Sequence, residues 1–206
     1  MSDYITIKKQ ASDEFVEKRS RFIGHIKPVT TREQAEEFIA EIKSKYWDAR
    51  HNVYAYVLRD GQFRKYSDDG EPQGTAGVPV LEVLLKENVT DCVVVVTRYF
   101  GGILLGTGGL TRAYSKSARI AIAAGEIQNM VLCDILRIRC DYSFYGKLGA
   151  FLGEMGASII NTDFSEDVTV DFALKKSETG RLQAKLTDLS NGRLSAECIG
   201  EEYYSM

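Results

Sequence analysis

The sequence has few of the residues that build the common metal sites and nucleophile sites. Its 206 residues include two histidines, and its four cysteines (Cys92, Cys133, Cys140 and Cys198) form no CxxC pair. GxSxG, HExxH and Walker A motifs are also missing. These absences argue against a zinc site and a disulfide-stapled fold, and they predict reduced thiols in a cytoplasmic protein.

Long apolar runs and a strong excess of positive charge are missing as well. No apolar run reaches the roughly 18 residues of a membrane span, so we expect no membrane association. The formal net charge is −3, which excludes a broadly basic nucleic-acid binder. The charge is uneven, because residues 1–131 carry 18 Lys and Arg against 17 Asp and Glu, whereas residues 132–206 carry 8 against 12.

The stretch Cys92–Gly125 combines positive charge with glycine and contains no Asp or Glu. Its short β-branched run, Cys92–Val96, predicts a buried strand, and a glycine-rich turn and a helix follow. Free N–H groups at a helix N-terminus next to cations on one helix face favour phosphate or another polyanion. The predicted anion-binding residues are therefore the cations and turn glycines of this stretch: Arg98, Gly101, Gly102, Gly106, Gly108, Gly109, Arg112, Lys116 and Arg119.

Two interpretations of this stretch stay open. In the first, the flanking aromatic residues Tyr99, Phe100 and Tyr114 stack on the bases of a single-stranded nucleic acid while the cations pair with phosphates. In the second, the glycines serve turn geometry, the cations form a solvated helix face, and the aromatic residues simply pack.

A second polar segment, Ser67–Gly77, is dense in carboxylates and glycine. Its candidate residues, taken with a histidine upstream, are His51, Asp68, Asp69, Glu71, Gly74 and Thr75. A histidine beside three carboxylates could hold a divalent metal or act as an acid–base pair. We favour the alternative of a hydrogen-bonded polar loop without metal, in which Thr75 caps the following helix.

The remaining pattern predicts two domains, residues 1–130 and 131–206. In the first, we expect one strand over Glu14–Val29, a helix opened by a capping box at Thr30 or Thr31, and a hairpin through Asp60-Gly61. Glu126–Val131 is interpreted as a linker. The second domain has the element order β-α-β-β-α-β, which is the ferredoxin-like pattern.

Three blocks together resemble the signature blocks of the Impact/YigZ family. They are Ala49–Tyr56, Ser67–Leu81 and Val96–Tyr114. The resemblance implies an α+β protein of two domains, as in bacterial members of that family. The N-terminal domain would be an α/β domain of the ribosomal S5 domain-2-like type, and the C-terminal ferredoxin-like domain would be similar to a late domain of elongation factor G.

The resemblance also carries an expectation about function. Eukaryotic relatives regulate translation by competing for a partner that activates a kinase of an initiation factor. We therefore expect a non-enzymatic, translation-associated regulator that binds RNA or the ribosome through the basic glycine-loop and helix surface, without a cofactor. The alternatives are a phosphate- or nucleotide-binding enzyme that uses the same loop, and a protein–protein adaptor in translation control. The small-molecule kinases that share the S5-like fold carry a serine-bearing glycine loop, which Gly106–Thr111 does not reproduce.

Overall fold

The computed structural model describes residues 3–59 and 63–205, and the chain divides into two units. One unit spans Tyr4–Asn129, and the other contains Asp3 and the residues from Met130 onward. Each unit combines antiparallel strands with helices, which confirms the predicted α+β class. Within the described ranges, no helix is both long enough and apolar enough to cross a bilayer.

After a short strand β1 (Tyr4–Ile7), the N-terminal unit is built around a five-stranded sheet. In sheet order its strands are β2 (Ala11–Glu17), β3 (Ser20–Pro28), β6 (Cys92–Tyr99), β4 (His51–Leu58) and β5 (Phe63–Ser67). All neighbouring strands in this sheet are antiparallel. The hairpin turn predicted at Asp60-Gly61, between β4 and β5, lies outside the described residues.

Helices cover both faces of this sheet. Helix α1 (Arg32–Lys45) packs on one face, where Val93 and Val95 of β6 join its core. Helices α2 (Gly77–Lys86) and α3 (Thr107–Gly125) pack on the other face, against Val94 and Val96. The apolar run that predicts β6 is therefore buried on both sides, as an uninterrupted run of valine requires.

Two helix N-termini differ in how well the sequence predicts their caps. At α1 the capping box is confirmed, because the Thr31 side chain accepts from the Gln34 N–H and the Gln34 side chain reaches back. At α2 the predicted Thr75 cap is wrong, because the Thr75 hydroxyl donates to the Pro72 carbonyl (2.7 Å). Asp68 takes this position instead, and its Oδ1 accepts from the N–H groups of Ala76 (3.1 Å) and Gly77 (2.8 Å).

The single strand predicted over Glu14–Val29 is wrong, since the chain folds there into a β2–β3 hairpin. The turn consists of Lys18 and Arg19, whose φ angles are 44° and 64°. Two consecutive positive φ values are typical of a type I′ hairpin turn, which Asn and Gly ordinarily provide. The sequence Glu17-Lys18-Arg19-Ser20 contains neither residue, so no local signal marks the turn.

The C-terminal unit confirms the predicted β-α-β-β-α-β element order. Its elements are β7 (Ile127–Cys140), α4 (Tyr142–Glu154), β8 (Ser158–Phe164), β9 (Val168–Lys175), α5 (Thr179–Ser190) and β10 (Glu197–Ser205). The strands follow the order β10-β7-β9-β8. The linker predicted over Glu126–Val131 is wrong, because β7 already begins at Ile127. The partners that keep this segment extended are distant in sequence: Met130 pairs with Ser205 and Val131 with Tyr204.

His25, in β3, is buried and has a structural role. Thr97 donates its one hydroxyl hydrogen to Asn52 Oδ1 (2.7 Å). The Thr97 oxygen can therefore only accept from His25, and the His25 Nε2–H donates to Thr97 Oγ1 (3.3 Å). Burial, with the positive charge of Lys45, lowers the pKa of His25 from 6.5 to about 4. In the folded protein His25 therefore stays neutral down to about pH 4, whereas in the unfolded chain it binds a proton below about pH 6.5.

This shift predicts a loss of stability in acid that depends on His25. Between about pH 6.5 and 4 the unfolded state binds more protons, so the free energy of unfolding falls as the pH falls, by about 2 to 3 kcal/mol at pH 4.5. Urea unfolding at pH 7 and pH 4.5 measures this loss. The variant His25→Gln keeps a neutral donor and should lose that much less than the natural protein. Equal losses in the two proteins would contradict the assignment.

Candidate functional site

Two polar loops that are distant in sequence meet at one end of the N-terminal sheet. The Ser67–Gly77 loop and the glycine turn after β6 enclose a cleft of about 420 Å³, which we call the apolar cleft. Its apolar walls are Pro72, Phe100, Leu104, Leu105 and Leu110, and the polar side chains that line it include Arg50, His51, Glu71 and Arg98. Its volume falls within the range of small-molecule sites.

A buried charged network lies at the apolar cleft. Glu71 Oε1 accepts from Arg98 Nη1 (2.5 Å) and from the Tyr114 hydroxyl (2.7 Å). The Arg98 and Glu71 side chains are 6% and 4% exposed. Burial, together with the Glu71 charge, raises the pKa of the Tyr114 hydroxyl, so the tyrosine stays protonated and donates. The buried pair is fixed in place by its hydrogen bonds and holds β6, α3 and the polar loop together.

Aromatic rings enclose the Arg98 guanidinium. Its Cζ lies 5.4 Å from the centre of the Phe22 ring and 5.6 Å from that of Phe100. Its Nη2 reaches Ser20 Oγ at 3.4 Å, and its Nε–H is buried without a hydrogen-bond partner among the described residues. An orphaned buried donor is uncommon in a folded protein and calls for an explanation.

His51 presents one ring nitrogen to the apolar cleft. Its Nδ1–H donates to the Asp69 carbonyl (2.8 Å), so the neutral ring carries its lone pair on Nε2. Nε2 lies 3.8 Å from Glu71 Oε1, which is too far for a hydrogen bond. The structure thus brings together two of the predicted loop residues, His51 and Glu71.

The other two loop carboxylates are taken by partners that tie the loop to its surroundings. Asp68 accepts from the Gly74 N–H as well as from the start of α2. Asp69 accepts from Lys43 Nζ (2.6 Å) and from the Asn52 N–H (2.6 Å). Throughout the described residues there is no cluster of three His, Cys, Asp or Glu side chains that could hold a metal ion. The Asp68 and Asp69 carboxylates are thus engaged by backbone N–H groups and by Lys43.

The five predicted turn glycines have different local roles. Gly101 donates its N–H to Ser20 Oγ (3.2 Å), and a Cβ there would lie 2.0 Å from the Arg19 carbonyl carbon. Gly102 and Gly106 have positive φ angles of 83° and 71°. Gly108 and Gly109 lie in the first turn of α3, whose first helical bond runs from the Leu110 N–H to the Gly106 carbonyl. The turn therefore leaves the N–H groups that precede Leu110 without an intrahelical partner.

The cations of α3 lie apart from Arg98. Arg112, Lys116 and Arg119 are exposed on α3, and none forms an ion pair with any residue in the described part of the chain. We call them the basic helix face. Lys116 Nζ lies 4.1 Å from the centre of the Phe15 ring. Arg98 differs from these three because its charge is buried and paired with Glu71.

A basic groove of about 220 Å³ runs beside the basic helix face. Its lining combines Arg112 and Lys116 with Lys18 of the β2–β3 turn, and Glu17 is the carboxylate among its lining residues. The sequence did not predict Lys18 and Phe15 as site residues. Both belong to the β2–β3 hairpin, and no turn signal in the sequence indicated that this hairpin forms beside α3. Of the aromatic residues predicted to stack on bases, Tyr114 is fully buried and cannot do so, whereas Phe100 is half-exposed.

Comparison with known proteins gives two family matches. Residues 18–122 match the model described as Impact N-terminal domain. Residues 138–193 match a model described as a domain of unknown function, DUF1949. The first match contains both loops of the apolar cleft and nearly all of α3.

Several known proteins are similar to this chain. IMPACT family member YvyE of Bacillus subtilis is 41% identical over 194 residues, which are 94% of this chain and 89% of that protein. IMPACT family member YigZ of Escherichia coli is 37% identical over 187 residues, covering 89% and 92% of the two chains. Protein IMPACT of Rattus norvegicus is 35% identical over 94 residues, which are 44% of this chain and 30% of that protein.

A solved structure resembles the whole chain. It is described as "Crystal structure of an hypothetical protein", has 34% sequence identity and superposes with a TM-score of 0.61. The alignment covers 97% of this chain and 98% of the other. The fold is therefore shared with a protein of almost the same extent.

Proposed function

This chain belongs to the Impact family, and from that premise we propose that it is a non-enzymatic, cytoplasmic regulator of translation that binds RNA, free or within the ribosome, through the basic helix face. The observation that carries the proposal is the exposure of Arg112, Lys116 and Arg119 on one side of α3, with no carboxylate partner among the described residues. Solvated cations in a row suit a phosphate backbone, which binds mainly by electrostatic attraction and counterion release.

The surroundings of the basic helix face agree with a single-stranded ligand. Lys18 extends the positive charge across the basic groove, and Glu17 offsets only part of it. Phe15 is partly buried beside Lys116, and its ring stacks on that of Phe22 with a centre-to-centre distance of 5.4 Å, so it forms part of the packed floor of the groove. A cationic groove of this kind follows the phosphate backbone of a single strand.

The basic helix face is tested by charge reversal. We expect Arg112→Glu/Lys116→Glu to weaken binding of a fluorescent 20-nucleotide single-stranded RNA by about 25-fold at about 0.1 M salt, because two phosphate contacts are lost. The slope of log affinity against log salt should also fall, by about 1.4 for two contacts. Fluorescence anisotropy at several KCl concentrations gives both numbers.

A matched control separates this effect from the change in net charge. Lys45 and Arg64 are exposed on α1 and β5, and neither lines the basic groove. The variant Lys45→Glu/Arg64→Glu changes the net charge equally and should bind RNA almost as the natural protein does. Equal losses in the two variants, or an unchanged salt slope in the first, would exclude the basic helix face as the RNA site.

A further inference from the structure

We infer that the apolar cleft binds a small neutral compound with an apolar body and a primary amide head group, whose N–H2 donates hydrogen bonds to Glu71 and His51. This inference goes beyond RNA binding and does not depend on it. The apolar cleft and the basic groove share Leu105 but no charged residue.

The Glu71 carboxylate has one oxygen that the fold does not use. Oε1 accepts from Arg98 and from Tyr114, whereas Oε2 accepts no hydrogen bond from any described residue. The Glu71 side chain is 4% exposed, yet Oε2 is not among the fully buried atoms that lack a partner, so the exposed part of the side chain includes this oxygen. A charged acceptor in so confined a place binds a donor group more strongly than a neutral acceptor does.

His51 supplies a second acceptor at the same cleft. Its Nδ1–H donates to the Asp69 carbonyl, which leaves the lone pair of Nε2 without a donor among the described residues. Nε2 lies 3.8 Å from Glu71 Oε1, so the imidazole and the carboxylate are neighbours in the lining of the cleft. Two neighbouring acceptors suit a head group that carries two hydrogens on one nitrogen.

The charges around these acceptors favour a neutral head group. Glu71 is already paired with Arg98, and Arg50 adds a further cation to the lining, so a cationic ligand gains little attraction. A carboxylate has no hydrogen to donate to Glu71 or His51, and its charge would face that of Glu71. The Arg50 side chain has no ion-pair partner in the described part of the chain and can donate to the oxygen of an amide.

The walls of the cleft accept the apolar body. Phe100, Leu105 and Leu110 line the cleft together with Pro72. Leu104 at the rim is 82% exposed. Apolar side chains gathered around a concave site with few polar groups are typical of small-molecule binding. The volume of about 420 Å³ leaves room for an aromatic ring with its head group.

The probe for this site is benzamide, and its controls are three compounds of nearly the same shape: acetophenone, benzoate and benzamidine. Acetophenone has a methyl group in place of the N–H2, benzoate carries a negative charge, and benzamidine carries a positive charge. Binding is followed by the shifts of backbone amide signals in two-dimensional NMR of the full chain.

We expect benzamide to cause saturable shifts at Phe100, Leu105 and Leu110. Its affinity should be at least about tenfold higher than that of acetophenone or benzoate, because neither of them can donate to the buried acceptors. It should also be higher than that of benzamidine. Binding of acetophenone as tight as that of benzamide, equal or tighter binding of either ion, or shifts confined to other parts of the chain would overturn the inference.

The variant His51→Asn tests the second acceptor. The introduced amide can still donate to the Asp69 carbonyl, but no acceptor remains at the position of Nε2. We expect benzamide to bind at least about fivefold more weakly and acetophenone to bind with unchanged affinity. The control Leu104→Ser removes an exposed part of the apolar wall, so it should weaken both compounds by the same factor. Unchanged benzamide binding by His51→Asn, or an equal loss for both compounds, would overturn the assignment of His51 as an acceptor.

Discussion

Replacing Glu71 by glutamine is expected to lower the free energy of unfolding by about 3 to 5 kcal/mol. Glutamine has nearly the same size as glutamate, so packing is kept while the negative charge is lost. Arg98 then stays buried between Phe22 and Phe100 with no counter-charge. Urea unfolding followed by far-UV circular dichroism measures the change.

The double variant Glu71→Gln/Arg98→Met separates the charge from the shape. Removing both charges also removes the cost of burying an unpaired one, so most of the lost stability should return. The introduced amide oxygen can still accept from the Tyr114 hydroxyl, which in the natural protein donates to Glu71 at 2.7 Å. If the double variant were as unstable as Glu71→Gln, the packing of these side chains and not their pairing would be the source of the effect.

Replacing Gly101 by alanine is expected to destabilise the N-terminal unit by about 3 kcal/mol or more. The added Cβ would lie 2.0 Å from the Arg19 carbonyl carbon and 2.1 Å from its oxygen, so backbone and not a flexible side chain has to move. The turn at Lys18 and Arg19 should open as a result. We expect a lower midpoint in urea and faster tryptic cleavage after these two residues.

Gly108→Ala is the matched control for this substitution. Its Cβ would meet only Arg112 Nη1, at 3.6 Å, and the position is helical. Alanine is the better helix former, so stability should be unchanged or should rise by up to about 1 kcal/mol. A Gly101→Ala protein that is as stable as Gly108→Ala would contradict the close packing of Gly101 against the Arg19 carbonyl group. Anion binding would then be the remaining reason for a glycine at position 101.

These two predictions change how the glycine-rich stretch is understood. The sequence groups Gly101 and Arg98 with the anion-binding residues because all of them lie in one acid-free segment. In the fold, the Gly101 N–H is taken by Ser20, and Arg98 is paired with a glutamate 27 positions earlier in the chain. Charge counted along a segment cannot include partners that other segments supply.

Elements whose stabilising contacts are local were predictable. The capping box at Thr31 involves residues three positions apart, and the buried strand β6 follows from its own run of β-branched residues. The C-terminal element order is predictable for the same reason, since periodicity and turn residues there agree. The spacing of Arg112, Lys116 and Arg119 also places them on one side of α3 without tertiary information.

Elements whose contacts are distant were not predictable. The Lys18-Arg19 turn adopts positive φ angles without glycine or asparagine, and its backbone packs against Gly101, a residue far along the chain. The α2 cap comes from Asp68 and not from the adjacent Thr75. From Met130 onward, the segment after Glu126 pairs with β10, which lies at the other end of the C-terminal unit in sequence.

By itself, the sequence determined the α+β class, the positions of most helices and strands, the family resemblance and the row of cations on α3, because each of these depends on the order of neighbouring residues. Only the tertiary structure decided that Arg98 is neutralised, that Asp68 caps α2 while Asp69 pairs with Lys43, and that His51 and Glu71 share a cleft with the glycine turn. Hydrogen bonds and ion pairs form between whichever groups folding brings within about 3 Å, and that distance is set by packing across the sheet and not by separation along the chain.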